Sequence, residues 1–532
     1  MTKIKLAVLA VLLLLVFDSF AQSPAPFRLA INYAFSSETN VGAATIFSNF
    51  TALGVHGARH TQPSDANWLA VQSRSNAPFV FTNTDVVFTN AFGVMPIAML
   101  YEDPNAAVPA SGLQVPWLTG TGFNFTSNEW FYASNYVRAV VTHYTNVTHL
   151  WEISNEVSGT NNRPASLPAG EFAWYLATNW AWIHATDPQA QVLLPGCLGS
   201  YGLPVTNGPE WLRSVLTNLA TLGQPGFDIM NYHDYKYWWG LPVQYDAYAA
   251  VLAEFNLTNV PIWITESACS STNNATSPIY AGADQQAADV WRRSCVLFGK
   301  GAAVFCWHSL YSDAIKNFAH QGLLEPVSGS TPGKKKKSWH SFRLLAQKIE
   351  GFQSAILLAN GNATTNPTNG GQGQWVVRFD WSDGTRRFVA WSGTNLNYTL
   401  TNLSTNPYRL TIVVPTTISS NGEDATFTIT TNTPVAGSLT LTCSTNFPVL
   451  IESTVPATPV ITNTTLNMNL LTLSGTGPSA ENYSVLATTN VTLALSNWTR
   501  IGNSTFSNSS FHFTDSASGT NNLQRFYRIS TP

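Results

Sequence analysis

Trp151-Glu152-Ile153-Ser154-Asn155-Glu156 ends an apolar run that begins at Val147. A second run, Pro261-Ile262-Trp263-Ile264-Thr265-Glu266, has the same design further along the chain. Each is an apolar segment of strand length that finishes on a carboxylate. Strands buried on both faces read as near-continuous apolar runs, so the acidic residue falls where the strand leaves the core. Alternation gives Glu152 the same parity as Glu156, one layer deeper. Glu152 is therefore expected to be a buried partner for an Arg or a His.

Working outward, six more runs of this kind cover 27–33, 54–59, 93–101, 191–195, 227–233 and 302–308. The two quoted runs extend over 149–156 and 260–266. Helical patterns separate them, among them 41–53, 129–144, 172–185, 246–255 and 281–298, and a last one covers 338–350. Eight strand–helix units predict a (β/α)8 TIM barrel over 27–346. An open doubly wound sheet would carry a Gly-rich phosphate loop after its first strand, and Ala34-Phe35-Ser36-Ser37 is not one.

Helical patterning stops after Glu350. Trp381-Ser382-Asp383-Gly384-Thr385 lies between alternating flanks and reads as a hairpin turn. A β-sandwich domain is expected over 347–454. Pro456-Ala457-Thr458-Pro459 reads as a linker, and a small C-terminal β module as 460–532.

Composition narrows the partners. A net charge of −3, with charged residues only 10% of the chain, argues against a nucleic-acid binder. Eighteen Trp and eighteen Tyr supply flat apolar faces with polar edges, a chemistry that suits sugar rings. Lys3 and Lys5 precede an apolar run over 6–17, followed by Ser19-Phe20-Ala21. That is the pattern of a secretory signal peptide over 1–21, cleaved after Ala21, and it predicts a secreted, extracellular or periplasmic protein. The run is short for a membrane span.

The five cysteines show no metal-ligand spacing, and Cys197 and Cys306 read as buried hydrophobes. The lysine run 334–337 reads as a solvated loop.

In a (β/α)8 barrel the chemistry sits at the C-terminal ends of the strands. Strand two ends in Arg59-His60, strand three in Tyr101-Glu102-Asp103 and strand four in Asn155-Glu156. Strand six ends in His233-Asp234-Tyr235, strand seven in Glu266 and strand eight in Trp307-His308. This constellation resembles clan A of the glycoside hydrolases, and the resemblance covers roughly 27–346. The sandwich resembles the β domain attached to such barrels in several families, and the last segment is similar to small C-terminal β modules on secreted bacterial proteins.

The resemblance implies a retaining β-glycoside hydrolase acting on a β-linked poly- or oligosaccharide, with no metal and no organic cofactor. It implies Glu156 as general acid/base and Glu266 as nucleophile. Arg59 and Tyr235 would donate hydrogen bonds to Glu266, and Asn155 would bind the sugar 2-hydroxyl. His233 would orient the acid/base, and Trp307 would lie beneath the sugar in the −1 subsite. Trp238 and Trp239, after strand six, are further candidate platforms beside Tyr237. The competing reading is a catalytically inactive carbohydrate-binding or adhesive protein that uses the same cleft. The joint presence of both carboxylates and their supporting groups weighs against it.

Overall fold

The computed structural model describes residues 25–530 except 35–41, 62–67, 75, 87, 89–92, 101–124, 159–168, 199–206, 273–281, 313–319, 329–332, 366–369, 383, 394–395, 404–405, 444–446, 455–458, 468–469, 478–481, 508–509 and 517–523. The segment read as a signal peptide, the end of strand three and the 456–458 part of the linker lie outside the described residues. Two compact units are formed, one from 1–286 with 302–339 and one from 287–301 with 340–532.

The first unit is built on parallel strands β1 (Leu29–Ala34), β2 (Gly57–Thr61), β3 (Met95–Leu100), β4 (Leu150–Ile153), β5 (Gln191–Leu193), β6 (Cys197–Leu198), β7 (Met230–His233), β8 (Ile262–Ser267) and β9 (Val304–His308). Their order is β5-β4-β3-β2-β1-β9-β8-β7-β6. A parallel bridge from Leu193 to Ile229 joins the two ends. The result is a closed TIM barrel in which β5 and β6 are two pieces of the fifth strand. The expected single strand 191–195 breaks at Pro195-Gly196, where no ladder partner is shared.

Crossover helices include Ala43–Leu53, Ser127–Tyr144, Ala169–Thr186 and Leu241–Glu254. Thr126 and Glu129 close the N-terminus of Ser127–Tyr144 with a reciprocal capping box. Between β2 and β3 the described residues hold only the four-residue helices Trp68–Val71 and Thr82–Asp85.

Inward side chains stack in layers along the strands. The deeper inward side chains form an apolar cluster that includes Phe27, Ala30, Ile97, Leu150, Leu193, Ile229, Trp263, Val304 and Cys306. Two residues on from Ala30, Leu150, Ile229 and Trp263, period-2 alternation brings Asn32, Glu152, Asn231 and Thr265 inward, all buried, with Arg59 of β2 beside them. The barrel is therefore an apolar plug capped by a buried polar layer. The functional groups stand on that layer.

The lysine run departs from expectation. Lys335 lies over the Trp339 ring and Lys337 pairs with Asp284. Lys336 is buried, and its Nζ meets Ser271 Oγ at 3.0 Å, Ser312 Oγ at 3.1 Å and the His320 carbonyl at 2.9 Å. Loop groups that only the tertiary fold assembles satisfy all three of its donors.

The second unit holds a six-stranded antiparallel sheet and a two-stranded sheet, Leu396–Leu400 with Leu439–Cys443. Val376, Phe388, Tyr408 and Ile451 from the first and Leu400, Leu439 and Leu441 from the second share one core, which makes the sandwich. Glu452 in this unit gathers Lys348, Arg387 and Arg409. Residues from Val460 onward form two three-stranded sheets around Leu473, Tyr483, Val485, Phe506, Phe511 and Ile529.

Candidate active site

Arg59 projects inward from β2 and is wholly buried. Its Nε and Nη2 donate to Glu152 at 2.6 and 2.8 Å, its Nη1 donates to Glu266 Oε1 at 2.6 Å, and Nη2 also reaches Asn155 Oδ1 at 2.9 Å. Burial works against the guanidinium charge, but Glu152 and Glu266 more than offset it, so Arg59 stays cationic. Glu152 further accepts from Asn231 Nδ2 at 2.9 Å and from the Gly196 backbone N–H at 3.2 Å. The buried-partner expectation for Glu152 is met.

Glu266 is aimed by an irregularity in its strand. Trp263 and Thr265 point inward, so simple alternation would turn Glu266 outward. The register of β8 shifts against both neighbours, between Tyr232 and His233 of β7 and between Ile264 and Ser267 of β8 itself. Thr265 and Glu266 consequently both face the barrel mouth, as bulges beside functional sites allow. Tyr235 donates its hydroxyl to Glu266 Oε2, and His308 Nδ1 lies 3.9 Å from the same oxygen. Burial alone would push the Glu266 carboxyl up. The positive charges of His233 when protonated, of Arg59 and of His308 when protonated, with the Tyr235 hydrogen bond, outweigh burial and hold it well below the usual carboxylate range.

Glu156 reaches the site by a different route. β4 ends at Ile153, and Ser154 and Glu156 both take left-handed backbone conformations, with φ of 64° and 52°. This is a turn rather than the continuous strand expected to 156, and non-glycine residues adopt it only where the surroundings require it. Its carboxylate meets His233 Nδ1 at 2.8 Å, and the same nitrogen stands 3.5 Å from Glu266 Oε2. One oxygen of each carboxylate and the His233 nitrogen all lie within 4.8 Å of one another. This cluster is compact enough to meet an ion, yet Arg59 already neutralises Glu266 and the Glu156 contact occupies the imidazole nitrogen. The set is better matched to proton transfer than to metal binding.

Arg59, Asn155, Glu156, His233, Tyr235 and Glu266 are thus brought together as expected from the sequence. Trp307 is not. It lies on the outward face of β9, between the inward Cys306 and His308, and its indole N–H donates to the Gln321 carbonyl at 3.1 Å. It is fully buried and offers no face to a ligand. Strand parity excludes it, and His308 takes the inward place. Trp238 is also buried and meets Trp239 edge-on. Trp239 is partly exposed and stacks on Tyr237, with ring centroids 4.4 Å apart and planes 15° from parallel.

Asn231, Thr265 and Gly196 went unread in the sequence, and His308 was placed at the end of strand eight without a role. A Cβ on Gly196 would fall 1.9 Å from His233 Nε2, so the break in the fifth strand is where the imidazole lies against bare backbone. A Pro-Gly pair inside an apolar strand run was the available signal.

Residues 173–296 match the family model described as glycosyl hydrolase catalytic core. The barrel fold matches that of solved glycoside hydrolases described as family 39, GH30 and GH51. The chain is similar to a family 39 glycoside hydrolase from Bacteroides cellulosilyticus WH2, with 16% identity, 80% of each chain covered and a TM-score of 0.54. It is similar to a monomeric beta-xylosidase from Caulobacter crescentus CB15 at 15% identity, covering 82% of this chain and 98% of that one, with a TM-score of 0.53. An alpha-L-arabinofuranosidase from Thermotoga maritima gives 13% identity, 77% and 89% coverage and a TM-score of 0.53. No curated protein sequence matches the chain.

Proposed function

We propose that the protein is a secreted retaining β-glycoside hydrolase that cleaves a β-linked poly- or oligosaccharide by double displacement. The separation of the two carboxylates carries the reading, because oxygens of Glu156 and Glu266 approach within 4.8 Å. Retaining enzymes hold their carboxyl groups about 5–5.5 Å apart, whereas inverting ones leave about 6.5–9.5 Å for a water. Glu156 protonates the glycosidic oxygen as the bond to the anomeric carbon breaks and an oxygen of Glu266 bonds to that carbon. Water then attacks the same carbon, gives a proton to Glu156, and releases Glu266 as a carboxylate. Arg59 and Tyr235 keep the nucleophile ionised, and Asn155 stands beside it to meet the sugar 2-hydroxyl.

Secretion rests on the signal-peptide pattern of 1–21. Trp239, stacked on Tyr237 and partly exposed, is the remaining candidate platform for a further sugar unit.

Chemical rescue tests the mechanism. Glu266→Gly should lose hydrolysis and regain turnover with azide, giving an azide product of inverted anomer. Glu156→Ala with azide should give a retained β-azide from an activated aryl glycoside. Full activity in both variants would sink the assignment. A panel of aryl β-xylosides, β-glucosides and α-L-arabinofuranosides identifies the sugar. Binding without turnover of any of them would favour the inactive carbohydrate-binding protein.

A further inference from the structure

Behind His233 runs a row of hydrogen bonds whose polarity can be assigned atom by atom. The Thr265 backbone N–H can only donate, and it points at Asn231 Oδ1 at 3.2 Å, which fixes the orientation of that amide. Asn231 Nδ2 then donates to Glu152 Oε1 at 2.9 Å, an oxygen that also accepts from Arg59. The Thr265 hydroxyl lies 2.8 Å from Asn231 Oδ1 and has one hydrogen, which it must spend there. To His233 Nε2, at 3.0 Å, it can offer only a lone pair. Nε2 therefore carries a hydrogen. The imidazole rests against Gly196, where no Cβ could fit.

We infer that Asn231 and Thr265 are positioning residues that lock His233 in the Nε2–H tautomer, so that Nδ1 turns a lone pair toward Glu156 and Glu156 holds the proton it delivers. The inference rests on the proposed role of Glu156 as acid/base. In the resting site Glu156 donates across 2.8 Å to Nδ1. Once the proton passes to the leaving oxygen, the carboxylate faces a lone pair. That repulsion is relieved when Glu156 takes a proton from the attacking water, so one tautomer serves both half-reactions.

Among the described residues, the charged and titratable groups around this pair include Arg59 of β2, Glu152 of β4, Cys197 of β6, Tyr235 after β7, Glu266 of β8, and Cys306 and His308 of β9. Burial pushes both thiols up, so they stay neutral.

The test is Thr265→Val, which keeps the shape and removes the acceptor. Without it His233 is free to carry its hydrogen on Nδ1 and donate to an ionised Glu156. The basic limb of the kcat/KM profile should then move about one pH unit toward acid. Aryl glycosides with poor leaving groups should lose at least tenfold more rate than dinitrophenyl glycosides, which need no acid. Thr265→Ser, which restores the hydroxyl, should return the profile to that of the wild type.

Histidine 15N NMR on the wild-type protein reads the tautomer directly, with the His233 signal assigned by its loss in His233→Gln. It should show Nε2–H, and Thr265→Val should shift it toward Nδ1–H. A wild-type Nδ1–H signal would overturn the inference, as would an unchanged basic limb with equal losses on both substrates. The NMR result needs no turnover. An inactive wild-type protein would count against the proposed function, and a wrong tautomer against this inference alone.

Discussion

Arg59 and Glu266 meet at 2.6 Å, and the guanidinium that makes the contact has no exposed surface of its own. The same Arg59 holds Glu152 through two donors. One buried cation thus ties a structural carboxylate to the proposed nucleophile. Arg59→Met should leave both carboxylates uncompensated and cost about 3–5 kcal/mol of stability. Arg59→Lys keeps the charge but not the fork, and should lower kcat on the order of 100-fold with less loss of stability. Thermal unfolding and steady-state kinetics on an aryl glycoside separate the two effects.

Tyr235→Phe removes the hydroxyl from Glu266 Oε2. The carboxylate is held low in part by that hydrogen bond, so its loss raises the pH at which the nucleophile is half-ionised. The acid limb of kcat/KM should move to higher pH and the pH-independent rate should fall about tenfold. A pH–rate profile from pH 3 to 9 shows both.

Gly196→Ala adds a Cβ that must displace the His233 ring. The expected result is a fall of at least tenfold in kcat with KM little changed, together with an overpacking cost of about 1–3 kcal/mol. An alanine variant with unaltered kinetics would show that the ring can move without consequence.

Trp239→Ala removes one ring of the partly exposed Tyr237–Trp239 pair after strand six. If the ring serves a second sugar, KM for oligosaccharides should rise about five- to tenfold while KM for simple aryl glycosides stays the same. Kinetics against a chain-length series checks this.

Lys336 supplies a stability prediction with a definite sign. Burial pushes its ammonium down from 10.5 to about 8. Below pH 8 both folded and unfolded chains carry the proton, and the folded state bears the full penalty, roughly 3 kcal/mol. Between pH 8 and 10.5 the unfolded chain binds the proton that the folded one has lost, so the Lys336 contribution to stability rises with pH. Denaturant unfolding of wild type and Lys336→Met across that window should show this rise only in the wild type.

The barrel was legible because its evidence is local and repeated. Each strand buries both faces, so each announces itself as an apolar run, and eight such runs leave few alternatives. Arg59, Asn155, Glu156, His233, Tyr235 and Glu266 were legible because polar groups stood where those runs ended. The sequence by itself thus determined the architecture and most of the residues at its mouth.

What only the tertiary structure decided is the direction of side chains at the ends of strands. Strict alternation would have misplaced Glu266, which is aimed by a register shift against β7 and β9. Glu156 arrives through a left-handed turn after β4. Trp307 and His308 are adjacent in sequence, yet parity sends one outward to the Gln321 carbonyl and the other to the site. Lys336 is buried inside a lysine run because Ser271, Ser312 and His320 converge on it. The row Glu152–Asn231–Thr265–His233 joins β4, β7 and β8, and no local pattern encodes it. Period and composition are properties of one segment, whereas register and hydrogen-bond polarity belong to pairs of segments and exist only once the barrel closes.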